Sequence, residues 1–131
     1  MSIGPPEDDL TVTKAEAAAR QTEAAIEAFA RGDFDIAVTL AGAAEGMIQR
    51  DGPHMFSHLL ESPRVKDVAK KDWVTVLNAE RDWLKHHSGP DALTIEKEVA
   101  YFMIARAASK LEKWTPRMNE FKEWIIKEVS K

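Results

Sequence analysis

Apolar residues recur at helical spacing along almost the whole chain, and nowhere do they alternate with period two. Between Lys14 and Arg31 the apolar face is Ala18, Ala25, Ile26 and Phe29, small at one end and large at the other. Thr13 with Glu16 forms a capping box that opens this helix, and Gly32 closes it. Asp33 is then placed to cap a second helix, Phe34 to about Gln49, whose inward positions are Phe34, Ala37, Val38, Ala41, Ala44 and Ile48. Gly42 and Gly46 sit four apart in it, a spacing that lets two helix backbones approach closely, so the first two helices are expected to form a tight antiparallel hairpin. Asp51-Gly52-Pro53 reads as a turn, His54–Glu61 as a short helix, and Ser62-Pro63 as a break. A long helix follows from Val65 to His87, with Trp73, Val76, Leu77, Glu80 and Leu84 on its core face, ended by Ser88-Gly89-Pro90. Ile95, Val99, Phe102, Met103, Ala107 and Leu111 predict a helix over about 94–114. Thr115-Pro116 opens the last helix, which carries Met118, Phe121, Trp124, Ile125 and Val129. The pattern predicts an all-α fold, a single-domain bundle of about five helices built from antiparallel hairpins. It is expected to span residues 13–131 behind a disordered tail at 1–12.

The length of 131 residues suits one domain with one core. Cysteine is absent, which excludes disulfides, thiolate zinc sites and a cysteine nucleophile, and suits a reducing cytoplasm. The segment MSIGPPEDD is acidic and proline-containing, unlike a secretory leader, and no stretch reaches the length of a membrane span. A cytoplasmic protein with no membrane partner is the expectation. The net charge of −4 argues against broad duplex binding, which depends on a basic surface. That charge is unevenly spread, however. Residues 64–87 hold six basic groups (Arg64, Lys66, Lys70, Lys71, Arg81, Lys85) against four acids (Asp67, Asp72, Glu80, Asp82), so a local anion site can exist on an acidic chain. A solvated helix face of mixed charge explains the same residues equally well.

Several chemistries can be set aside. GxxxxGK, GxGxxG and GxSxG are all missing. His54 and His58 are four apart, but two ligands make no metal site, so no metal and no cofactor are expected. The four tryptophans sit in amphipathic helices as core anchors. Trp83 is the exception, about 80° round the helix from Trp73 and about 120° from Leu77, at the core edge or in a dimer contact. Glu45, inside an apolar helix, requires a cationic partner, and Arg81 is the candidate.

The stretch WVTVLNAERDWLKHH, Trp73 to His87, concentrates the remaining polar chemistry. Arg81, Asp82 and His86 read R-D-x-x-x-H. Five residues along a helix give about 7.5 Å of rise and about 140° of rotation, so Arg81 and His86 border one groove rather than meet at one point. An imidazole near neutrality suits general acid/base work, and an arginine suits a phosphate. Asn78, Lys85 and His87 lie close enough along the chain to contribute to substrate binding.

R-D-x-x-x-H near the end of the third long helix of a small all-α bundle resembles the HEPN superfamily. Its motif is an arginine, usually followed by a polar residue, with a histidine four to six residues further on. GDFDIAVTLAGAAEGMI also looks like the alanine-rich second helix of such domains, and the likeness covers roughly residues 14–111. The resemblance implies a metal-independent endoribonuclease of toxin or defence type, working as a homodimer whose two motifs line one cleft. Arg81 would then bind the scissile phosphate, Asp82 would orient the site, and His86 would help the ribose 2′-hydroxyl attack. RNA or a nucleotide would be the ligand, and an antitoxin-like protein a further partner. Other members of the superfamily are catalytically silent, so a helical interaction or scaffold domain is the second expectation.

Overall fold

The computed structural model describes residues 8–49 and 70–131, with the backbone alone for 70–74. Among the described residues there are five helices and no strand: α1 (Lys14–Ala30), α2 (Phe34–Met47), α3 (Lys70–Lys85), α4 (Lys97–Ala108) and α5 (Pro116–Val129). The protein is an all-α bundle. The short helix expected at His54–Glu61, the 65–69 part of the long helix and the core contact of Trp73 lie outside the residues described.

Local chemistry sets most of the helix ends. Thr13 Oγ1 accepts from Glu16 N at 3.0 Å while Glu16 Oε1 accepts from Thr13 N at 3.1 Å, which completes the capping box of α1. Gly32, at φ 85°, turns the chain in the left-handed region. There its N–H bonds to Phe29 O at 3.0 Å and that of Asp33 to Ala28 O at 2.9 Å, a Schellman closure. Asp33 itself does not cap α2. Its carboxylate turns back to Arg31 Nε at 3.1 Å, so the ion pair takes the group expected at the cap. Thr115 caps α5, accepting from Met118 N at 3.3 Å, with Pro116 in the first turn. The helix predicted over 94–114 is shorter than its apolar pattern. Beyond Ala108 the chain tightens, with Lys110 N on Ala107 O and Leu111 N on Ala108 O, and the Trp114 indole also donates to Ala108 O at 2.9 Å. These bonds satisfy carbonyls that a continuing helix would have used.

α4 is the hub and touches all four other helices. Its sequence VAYFMIARAA is apolar nearly all round, and Val99 to Ala105 are buried without a break. α1 and α2 pack along each other, and Ala18, Ala25 and Ala28 of the one and Ala37, Val38, Ala41 and Ala44 of the other are all buried. Such small side chains permit close approach. At the far end of this hairpin Phe29 gathers Phe34, Tyr101, Phe121 and Trp124, with ring centroids 5.3–6.2 Å apart. Trp124 closes that cluster from outside and stays 38% exposed, so it is an edge residue rather than the core anchor its spacing suggests. Val76 is a second departure. On α3 Leu77 is fully buried and Leu84 partly so, whereas Val76 is exposed. The apolar stripe of α3 is narrower than the sequence implies.

Candidate functional site

Glu45 is the polar centre of the molecule. It lies on the inward face of α2 among alanines, with its side chain 8% exposed. Three cations from two other parts of the chain meet its two oxygens. Arg81 Nη1, from α3, stands 3.4 Å from Oε2. Arg106 Nε, from α4, stands 3.1 Å from Oε1, and Lys110 Nζ, just past the end of α4, is 2.8 Å from the same atom. Lys110 also donates to the backbone carbonyl of Glu45 at 3.2 Å. Arg106 uses its Nη1 to donate to Asn78 Oδ1 at 2.8 Å, which ties α3 to α4. Burial alone would push the Glu45 carboxyl up. The Lys110 hydrogen bond and the charges of Arg106, Lys110 and Arg81 outweigh it and hold the group below the ordinary carboxylate value.

The glycine at 42 is what admits Arg81 to this cluster. A Cβ on Gly42 would stand 2.8 Å from Arg81 Cγ and 2.9 Å from Cδ, so the arginine stem crosses α2 through a notch that only glycine leaves open. The close approach expected of the Gly42/Gly46 pair is therefore between a helix and a side chain. Gly46 is exposed, and a Cβ there meets nothing among the described residues.

The predicted site residues fall into two groups. Asn78 and Arg81 face the Glu45 cluster, and Asp82, on the solvent side, sits 3.5 Å from Arg81 Nε. Arg81 Nε is buried and makes no hydrogen bond among the described residues, while the side chain as a whole keeps 21% of its exposure. Lys85 is the last residue of α3 and is exposed. His86 and His87 lie just beyond the helix, exposed, along a small hollow of about 240 Å³ with Trp83 and the 88–91 turn. Trp83 donates its indole N–H to Pro90 O at 2.7 Å and leaves 3.1 Å between its Cδ1 and a Cβ built on Gly89, whose φ is 102°. This half-buried tryptophan pins the turn that carries the histidines. The fold brings Asn78, Arg81 and Asp82 together; within one chain it does not bring His86 onto Arg81.

Two members of the cluster are absent from the motif helix. Arg106 and Lys110 are four residues apart, and they interrupt an otherwise apolar segment, VAYFMIARAASKL. That interruption is the signal from which they could have been read. Glu80, expected on the core face of α3, is half-buried, with Oε2 lacking a hydrogen-bond partner among the described residues. Burial, and then the neighbouring charge of Glu96, raises its pKa from 4.5 to about 6. Among the described residues no three histidine or acidic side chains gather as a metal-binding set, and His54 and His58 lie outside them. Also among these residues, no helix is long and apolar enough to cross a membrane.

Comparison of the chain with models of protein families, with curated proteins and with solved structures finds no match.

Proposed function

We propose that this is a HEPN-like RNA-binding domain of the metal-independent endoribonuclease type, cytoplasmic and working as a homodimer. The observation that supports it is the positive surplus at Arg81. Among the described residues three cations share Glu45, and even with the exposed Asp82 counted one positive charge remains, on a chain whose net charge is −4. A phosphodiester is the anion that such a half-open cationic face accepts on a nuclease. Arg81, which keeps 21% of its exposure, offers the open edge of its guanidinium to the phosphate and stabilises the charge that develops there. His86, carried by the turn after α3, acts as the acid/base on the 2′-hydroxyl and the leaving oxygen. The two groups point to different sides of one helix end. A second chain set against the first supplies the missing partner, so that Arg81 of one protomer works with His86 of the other.

The test is cleavage of a mixed RNA pool in EDTA by the wild type and by Arg81→Lys, His86→Ala and His87→Ala. Loss of a general acid/base costs about 10²–10⁴-fold in rate. His86→Ala should show that loss and His87→Ala far less. Arg81→Lys keeps the charge but loses the planar fork, and should be strongly impaired. A monomer at tens of micromolar, or no cleavage by the wild type, defeats the nuclease reading.

A second reading, a non-catalytic helical interaction or scaffold domain, is favoured by one observation. Arg81 is only 21% exposed and is already committed to Glu45, so its first role is in the fold. On that reading Arg81→Lys lowers the melting temperature, and His86→Ala changes neither stability nor binding.

A further inference from the structure

Lys110 belongs to two places at once. Its ammonium rests on Glu45, and its side chain also forms part of the wall of a hollow of about 450 Å³ between the start of α1, the end of α2 and the turn after α4. The apolar part of its lining is Ala15, Ala19, Ile48 and Leu111. Lys113 adds a second ammonium to the lining, and among the described residues Glu16 and Glu112 are its acids. The Glu16 carboxylate is already turned onto Thr13 N at 3.1 Å, where it serves the helix cap. Lys110 is 22% exposed and spends two of its three N–H donors, on Glu45 Oε1 and on the Glu45 carbonyl. It stands on one oxygen of the carboxylate whose other oxygen holds Arg81. An apolar lining beside a cation that shares its counter-ion with the arginine proposed above to hold phosphate suits a nucleotide, base on the apolar side chains and phosphate toward Lys110.

We propose that this hollow is a nucleotide subsite, with a base against the Ala15–Ala19–Ile48–Leu111 lining and its phosphate on Lys110, next to the phosphate held by Arg81. Glu45 is the positioning residue that keeps both cations in register. The inference rests on the RNA-binding reading and adds to it the direction in which the strand runs away from Arg81, across the end of α2 toward the start of α1.

A labelled 2′-O-methyl RNA hexanucleotide, whose blocked 2′ oxygen prevents cleavage, is the probe, and its anisotropy is followed against KCl concentration. Lys110→Gln should reduce the slope of log affinity against log salt by about 0.7, the share of one phosphate contact on a single strand. Ala15→Leu fills the hollow from an exposed position of α1, and should weaken binding several-fold while leaving that slope unchanged. Lys127→Gln, an equal loss of charge on exposed α5, should change neither. If the wild type binds and both Lys110→Gln and Ala15→Leu bind like it, the subsite is overturned while the RNA reading stands. If the wild type ignores the hexanucleotide but adenosine 5′-monophosphate raises its melting temperature, and Ala15→Leu abolishes that rise, the RNA reading falls and the subsite stands. If neither probe binds, both fall. Where Lys110→Gln loses its helical circular dichroism, Ala15→Leu decides the matter alone, since its side chain starts outside the core.

Discussion

The two halves of the R-D-x-x-x-H segment stand in opposite physical settings. Arg81 reaches inward through the Gly42 notch to a buried carboxylate that two further cations share. His86 lies beyond the last turn of the same helix, exposed, on a turn held by the Trp83 indole. Five residues separate them, yet one is part of what holds α2, α3 and α4 together and the other is not. Motif residues therefore differ in what their loss reveals. An arginine tied into the fold reports first through stability, whereas a histidine on an exposed turn reports only through activity.

The largest expected effect comes from breaking the inward half at its centre. Glu45→Gln leaves three half-buried cations without their shared anion. Removing one partner of a buried ion pair costs about 3–5 kcal/mol. Here the cations keep about a fifth of their exposure, so about 3 kcal/mol is expected in urea unfolding at pH 7.

Gly42→Ala is the next test, and it sharpens the comparison by displacing Arg81 without touching its charge. The added methyl meets the arginine stem at 2.8–2.9 Å. Overpacking of this kind costs about 1–3 kcal/mol, and the better helix propensity of alanine returns up to about 1. A net loss of about 1 kcal/mol is expected. Gly46→Ala on the same helix, with open space before it, should be neutral or slightly stabilising.

Third comes the pH profile, where two carboxyls of the bundle pull in opposite directions. Glu80, raised to about 6 when folded from 4.5, disfavours the folded state above that range, and the penalty is relieved as pH falls from about 6 toward 4.5. Glu45 is lowered, so its contribution is full above the ordinary carboxylate value and is lost as pH falls through its depressed folded value. Stability should therefore rise modestly from pH 7 toward pH 5 and fall at lower pH. Glu80→Gln should stabilise by about 1 kcal/mol at pH 7, allowing for solvent screening of a half-buried group, and should flatten the rise. A profile unchanged by Glu80→Gln would show that the carboxyl is not strained.

The smallest effect belongs to the outward half. His86→Ala should shift stability by no more than about 0.5 kcal/mol, as substitutions at exposed positions outside the core usually do. A larger loss would mean that the histidine turn is coupled to the Glu45 cluster after all.

Helix identity, most caps and the small-residue faces of α1 and α2 follow from the chain alone, because 3.6-residue periodicity, a Thr–Glu capping box and a terminal glycine are local signals. The need of Glu45 for a cation is equally legible, since a carboxylate among alanines cannot stay buried unpaired. The number of its partners is another matter. Arg106 and Lys110 lie more than sixty residues away from it, and only the packing of α4 against α2 carries them to the same carboxylate. Trp124 and Val76 satisfy the helical pattern yet remain exposed, because a pattern marks a face and the neighbours decide how wide a strip of it they cover. Gly42 and Gly46 are identical in the sequence, and only the tertiary structure tells the notch from the bystander, by bringing Arg81 to one of them. Local hydrogen bonding and periodicity were enough to form the helices; the shared counter-ion, which depends on three segments meeting, was decided by the fold.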